Sequence, residues 1–506
     1  MLCRLDRSVT KDHNNQRTVP KCVSILTGYP RTDRLRYVVR LLNQVDHLVL
    51  STARQYDIHV YCDGYCGALQ TRFQHVAFHV LATNQSSTNP DRPLFQRLHG
   101  ANETVELSGV EFQRHRWLYV SRNYRRMLDD LFVTRWYQSC VILEDDLVLA
   151  PDALSYLEAA ERIMQRDRTI FTGSLFADNS YPPYARDPRR FRRVSHFAGL
   201  GFVMTRGRYV DEVRRVIWAG LQNWDEQVQR FVRRRGLVSI VPEVSRALHL
   251  RRASNSSERS RPRHPFESQM LNSETLVEYN LDDLVEPAYD RLVVDIIQRG
   301  LYIRYLADAL FFDNVDETVV YLDCKDDRDL HRILAERNLW GVGNGGVVRG
   351  SYRGSMFFRY HTAQVLIVCR HSEFYRRRRK ATPVFRQYTK NITLDGRRVS
   401  RLVAGPVHRL TSEFGVAVST RNRSCDHACK DRKCDVAGLW LLNESCDVIT
   451  HVIPGCARCA AATAETYADG VFPGMDVDGG RCWRAYPHYI SCETASHRYR
   501  RLCVCR

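Results

Sequence analysis

The stretch "SCVILEDDLVLAP" (139–151) decides the fold. Its apolar run is too short for a helix and reads as a buried strand. The strand ends abruptly on three carboxylates, Glu144, Asp145 and Asp146. Upstream, "RHRWLYVSRNYRRMLDDLFVTR" (114–135) reads as a helix, and "YDIHVYCDG" (56–64) as a strand that stops at Asp63-Gly64. Before these come an amphipathic helix, "TDRLRYVVRLLNQV", and a strand ending in a turn, "KCVSILTGYP" (21–30). Strands separated by helices predict an α/β domain whose mostly parallel sheet is covered on both faces. Ligands of such sheets bind beyond the carboxyl ends of the strands. Chemistry is therefore expected at Asp63 and at the acidic triplet.

At 506 residues the chain exceeds one ordinary core; at about 150 residues per domain it holds two to four. After an N-terminal segment (1–20), the α/β domain is placed at 21–279 and a smaller α+β domain at 280–370. A β-rich linker follows (371–424), then a cysteine-rich module (425–506). The polar run "RRASNSSERSRPRHPFESQ" (251–269) reads as a surface loop of the kind that forms lids. Ten of the 17 cysteines lie between Cys425 and Cys505, which favours a disulfide-stapled module over zinc, since the finger spacing is absent.

The 75 Lys and Arg against 57 Asp and Glu leave a net charge of +18, almost all of the excess being arginine. Basic runs such as Arg376–Arg379 lack the interleaved aromatics of a single-strand platform, so a nucleic-acid partner is not expected. No window reaches the ~18 apolar residues of a membrane span, and the first residues carry no signal-peptide core. The cysteines favour a lumenal protein whose membrane anchor lies outside this sequence, and the sequons at Asn84, Asn102, Asn255, Asn391, Asn422 and Asn443 are compatible with that address but, arising often by chance, add little.

Three carboxylates at a buried strand end are costly without a cation. A divalent metal with oxygen ligands, shared with the phosphates of a nucleotide, would satisfy them. An ordinary acidic turn is the alternative. Strand alternation puts Glu144 and Asp146 on one side and Asp145 on the other.

Several blocks, in order, resemble the β-1,2-N-acetylglucosaminyltransferases, of the N-acetylglucosaminyltransferase I type, over residues ~20–370. They are "RNYRRMLDDLF", "CVILEDDLVLAPDALSYLEAA", "LFADN" (175–179), "FAGLGFVMTRGRYVDEV" (197–213), "NWDEQVQRFVRRRGLVSIVPEVSRALH" (223–249), "EPAYDR" (286–291) and "RGSYRGSMFFRY" (349–360). The resemblance implies a GT-A nucleotide-sugar fold and an inverting, Mn²⁺-dependent transfer of N-acetylglucosamine from its UDP donor to a mannose hydroxyl of a glycoprotein glycan in the Golgi. It implies Asp146 as the metal ligand, and Glu144 and Asp145 on the donor's sugar and ribose. Asp63 and Arg31 take the uracil and nucleotide positions, and His115 stands near the family's uracil-contacting histidine. Asp225 takes the place of the catalytic base in the block Trp224–Gln227, and Ser245 opens the loop that orders over the donor. Gln229 stands where the family has an arginine, with Arg230 beside it. Trp224 reads equally as core packing or as an acceptor-stacking ring. The tail is similar to the cysteine-rich C-terminal region of N-acetylglucosaminyltransferase V, in Ser491-Cys492 and "RYRRLCVCR". Two further readings stay open: a transferase for O-linked mannose or another donor, and a silent glycan-binding protein on the same scaffold.

Overall fold

The computed structural model describes residues 21–27, 32–51, 56–62, 67–81, 120–215 without 183, 223–250, 269–279, 281–303, 319–336, 348–360, 363–377, 391–394, 397–400, 410–461, 473–476, 480–485 and 499–506, with isolated positions between. Arg31, Asp63, His115 and the loop 251–268 lie outside them.

The main sheet has eight strands: β1 (Lys21–Thr27), β2 (Tyr56–Cys62), β3 (Ala77–Val80), β4 (Ser139–Glu144), β6 (Ile170–Ser174), β7 (Phe191–Val194), β8 (Phe202–Thr205) and β9 (Val238–Pro242). Two short strands, β5 (Leu147–Leu149) and β10 (Ala247–His249), pair separately. The order is β3-β2-β1-β4-β8-β6-β9-β7. The pairings β3/β2, β2/β1, β1/β4 and β6/β9 are parallel, as expected of helix-linked strands. The pairings β4/β8, β8/β6 and β9/β7 are antiparallel, a mixture the helix-strand alternation did not announce.

Helices cover both faces: α1 (Thr32–Ser51), α2 (120–129), α3 (Ala153–Arg166) and α4 (Trp224–Arg234). Alternation along β1 sends Val23 and Ile25 into one core with Leu41, Leu42 and Leu157. Cys22 and Leu26 enter another, with Met127, Leu128 and Val228. In α4 the apolar side chains Trp224, Val228, Phe231 and Val232 recur at helical spacing and are buried.

A second sheet, ordered β11-β12-β14-β13, joins β11 (Leu301–Tyr302), β12 (Val319–Cys324), β13 (Ser355–Tyr360) and β14 (Ala363–Cys369). The cysteine-rich tail does not carry a separate core. Its Leu439, Trp440 and Ile449 share one cluster with Leu322, Phe358 and Ile367 of that sheet. Trp440 packs against Tyr181 at 5.3 Å. The ten tail cysteines pair as Cys425–Cys503, Cys429–Cys505, Cys434–Cys492, Cys446–Cys459 and Cys456–Cys482. Cys22–Cys140 ties β1 to β4, and Cys324–Cys369 ties β12 to β14.

Asn443 is buried, and its amide both donates to and accepts from the backbone of Ala485, so it is closed to glycosylation in the folded chain. No helix among the described residues is long and apolar enough to cross a membrane.

Candidate active site

The site forms where β4 stops. Glu144 is the last strand residue, and Asp145 and Asp146 make the turn into β5. Asp145 accepts a hydrogen bond from Thr27 Oγ1 at 2.8 Å. Glu144 and Asp146 converge, and a third group joins them. Antiparallel pairing of β10 with β5 sets His249 opposite Leu147, and Leu250 N donates to Asp146 O at 2.7 Å. One ligand atom each from Glu144, Asp146 and His249 lies within 4.8 Å of the others.

Burial pushes Glu144 up to about 7, and the like charge of Asp146 adds to it, although Tyr124 Oη donates to Glu144 at 2.6 Å. Burial lowers His249 despite its carboxylate neighbours. The 3.5 Å contact between His249 Nε2 and Asp146 is therefore imidazole to carboxylate rather than an ion pair. Two crowded carboxylates and a neutral imidazole fit a divalent cation such as Mn²⁺, which imidazole and oxygen donors both accept. The cation would remove the like-charge cost.

Asp225 lies in the first turn of α4. Burial raises its carboxyl, while the backbone N–H groups of Glu226 and Asp225 itself, and the charge of Arg349, draw it back. A carboxylate so tuned is a better proton acceptor than an exposed one. Its charge also acts on Tyr124, the phenol hydrogen-bonded to Glu144. Burial raises this phenol most, followed by the charges of Glu144, Asp225 and Asp146. Trp224 stacks on Tyr124 with centroids 3.8 Å apart and contacts Phe197 and Phe202, so its ring is core packing that fixes the start of α4.

The remaining residues have identifiable tasks. Gln229 is buried, and its Oε1 accepts from Phe197 N at 2.6 Å, so no cation stands at that position. The nearby positive charge comes from Arg349, which donates to Asp178 at 2.6 Å. Asp178 also accepts from His196 Nε2 at 2.7 Å, while Gly350 N donates to His196 Nδ1. These partners hold Asp178 far below the usual carboxylate range, against its burial. Ser245 is fully buried; its N–H donates to Ser180 and its hydroxyl to Ala247 O at 2.9 Å. It thereby braces the turn leading into β10.

Sequence reasoning assigned no role to His249, Tyr124 or Arg349. All three stand inside the quoted blocks, but only the pairing of two three-residue strands brings His249 to Asp146.

Residues 94–377, more than half of the chain, match the GNT-I family. An alpha-1,3-mannosyl-glycoprotein 2-beta-N-acetylglucosaminyltransferase of Arabidopsis thaliana is 29% identical over 252 residues, 48% of this chain and 54% of that protein. The chain thus spans about half the length of that curated relative. Among solved structures, a provisionally assigned nucleotide-diphospho-sugar transferase from Desulfovibrio desulfuricans G20 is 13% identical. It covers 44% of this chain and 78% of its own, with a TM-score of 0.22, too low to carry an argument.

Proposed function

The chain belongs to the GNT-I family, and from that premise we propose that it transfers N-acetylglucosamine from UDP-N-acetylglucosamine to a mannose hydroxyl of a glycoprotein glycan. The linkage is β-1,2, formed with inversion on a GT-A scaffold, and N-glycan maturation is the setting. The observation that carries this reading is the convergence of Glu144, Asp146 and His249 at the end of β4, with the charge of Asp225 acting on Tyr124, the phenol hydrogen-bonded to Glu144.

Asp225 takes the proton of the acceptor hydroxyl as its oxygen attacks the anomeric carbon. The bond from that carbon to the diphosphate oxygen breaks, and its electron pair leaves with UDP. Asp146, Glu144 and His249 would hold Mn²⁺, which when bound supplies Lewis-acid neutralisation of the leaving diphosphate. Asp145 and Glu144 contact the donor's ribose and sugar. Arg349 contributes positive charge beside the base. Arg31, Asp63 and His115 complete the nucleotide pocket in this reading. The seven disulfides among the described residues support an oxidising address, which we take to be the Golgi lumen.

The test is transfer of labelled N-acetylglucosamine to a mannose-terminated N-glycan, comparing wild type with Asp225→Ala in the presence of Mn²⁺. Wild-type transfer that the variant loses supports the reaction and its base together. A variant that transfers normally removes Asp225 from the mechanism. A wild type that binds UDP but transfers only to O-linked mannose redirects the acceptor.

A further inference from the structure

At the start of β4, far from the acidic triplet, one residue is unexplained by folding. Trp136 has φ 61°, the left-handed region, and is 59% exposed. The cause is local. The helix α2 ends in a π-helical turn, Asp130–Thr134, closed by Arg135 N–H to Asp130 O at 2.9 Å and Tyr137 N–H to Leu131 O at 3.2 Å. The second bond is the six-to-one closure of a helix end whose next-to-last residue must be left-handed, the place that glycine usually fills. The chain puts its largest side chain there. Both the conformation and the exposed ring work against stability.

What surrounds the ring is polar and ordered. The Arg206 guanidinium lies over one indole face, 4.0 Å from the ring centroid. It is held there by Arg206 Nε donating to Phe132 O at 3.0 Å and Arg206 N–H donating to Gln138 O at 2.8 Å. Thr134 and Gln138, two positions to either side of Trp136 in the chain, are both exposed, and Gln138 is tied to Arg206 through its backbone oxygen. A protein interface wants a wide apolar centre, and this is one ring with hydrogen-bonding neighbours. Its dimensions suit a single pyranose, whose C–H face stacks on an electron-rich ring while its hydroxyls reach amide and guanidinium donors.

We propose that Trp136, Arg206 and Gln138 form a second, non-catalytic carbohydrate site that seats one sugar ring of the acceptor glycoprotein's glycans. The choice of ligand rests on the transferase reading above. The site stands about 20 Å along β4 from the acidic triplet, so it would retain a branched or multiply glycosylated acceptor without touching the reacting sugar.

The test uses the full chain labelled with 5-fluorotryptophan, Trp136→Phe identifying the resonance among seven tryptophans. A free oligomannose glycan, titrated without donor or metal, should shift the Trp136 signal saturably. Trp136→Gly, which relieves the backbone and should fold at least as well, should weaken this binding about three- to ten-fold, the size of one lost stacking contact. In transfer assays the same variant should raise KM for a multiply glycosylated protein and leave kcat and KM for a short mannoside unchanged. A Trp136 signal that ignores the glycan overturns the proposal, as does one that moves only with deglycosylated acceptor protein, which would make the face a protein-docking site. If no acceptor is turned over, the fluorine signal still decides the matter, because it needs no catalysis.

Discussion

The two ends of β4 bury polar groups in opposite ways. Beside its start, the groups satisfy one another. Tyr137 Oη donates its single proton to Asp57 at 2.5 Å, so His59 Nε2–H must donate to Tyr137 at 2.8 Å. His59 Nδ1 is then left to accept from His79 Nε2–H at 2.9 Å. Every member has its partner, and both imidazoles are neutral: burial, then Arg135, lowers His59 to about 4 and also lowers His79. At the carboxyl end, Glu144 and Asp146 crowd a third ligand atom from His249 and carry like charge. Polar groups buried to hold a fold close upon themselves, whereas those buried for chemistry gather one sign and wait for the other.

The largest effect is expected at Asp225. Asp225→Ala should lower kcat by about 10²- to 10⁴-fold with only a small fall in melting temperature, the cost of the bonds from the Glu226 and Asp225 backbone N–H groups; a collapse of the thermal transition would instead make it structural.

The closed network should fail by acid. His59 is neutral when folded and titrates at its ordinary value, near 6.5, when unfolded, so the unfolded chain binds the extra proton first. Its contribution is complete above about pH 6.5 and is lost as pH falls towards 4, on the order of 3 kcal/mol in total. Thermal melts across that range should show the decline, and His59→Gln should flatten it. An unchanged slope in the variant would place the acid sensitivity elsewhere.

At the carboxyl end, His249→Ala should weaken Mn²⁺ binding about 10- to 100-fold while leaving the fold intact. Calorimetry reads this directly, and equal affinities would reduce His249 to a neighbour. The smallest effect belongs to Tyr124→Phe. Removing its hydroxyl takes one hydrogen bond from Glu144 and should cost about 1–2 kcal/mol in denaturant unfolding, since the Trp224 stack remains. A neutral outcome would mean that water replaces the hydroxyl.

Much of this was legible in the sequence because it was local. The run before Glu144 is apolar enough to fix a strand, and alternation then separates Asp145 from Glu144 and Asp146. The density of cysteines after Cys425 announced disulfides, though their pairing needed the fold. His249 was not legible: it lies more than a hundred residues from Glu144 and arrives through three paired residues of β5 and β10. The antiparallel place of β8 between β4 and β6 was likewise hidden, since strand direction depends on how connections cross the sheet. Trp136 looked like one aromatic among many until its backbone angle set it apart.

The most direct test of the account is Mn²⁺ binding in the presence of UDP, followed by the loss of the free-ion paramagnetic resonance signal, for wild type and Asp146→Asn. The account predicts saturable, UDP-enhanced binding at one site in the wild type and its near-complete loss in the variant. Equal binding by both proteins, or none by the wild type, would contradict a metal–nucleotide site at the end of β4.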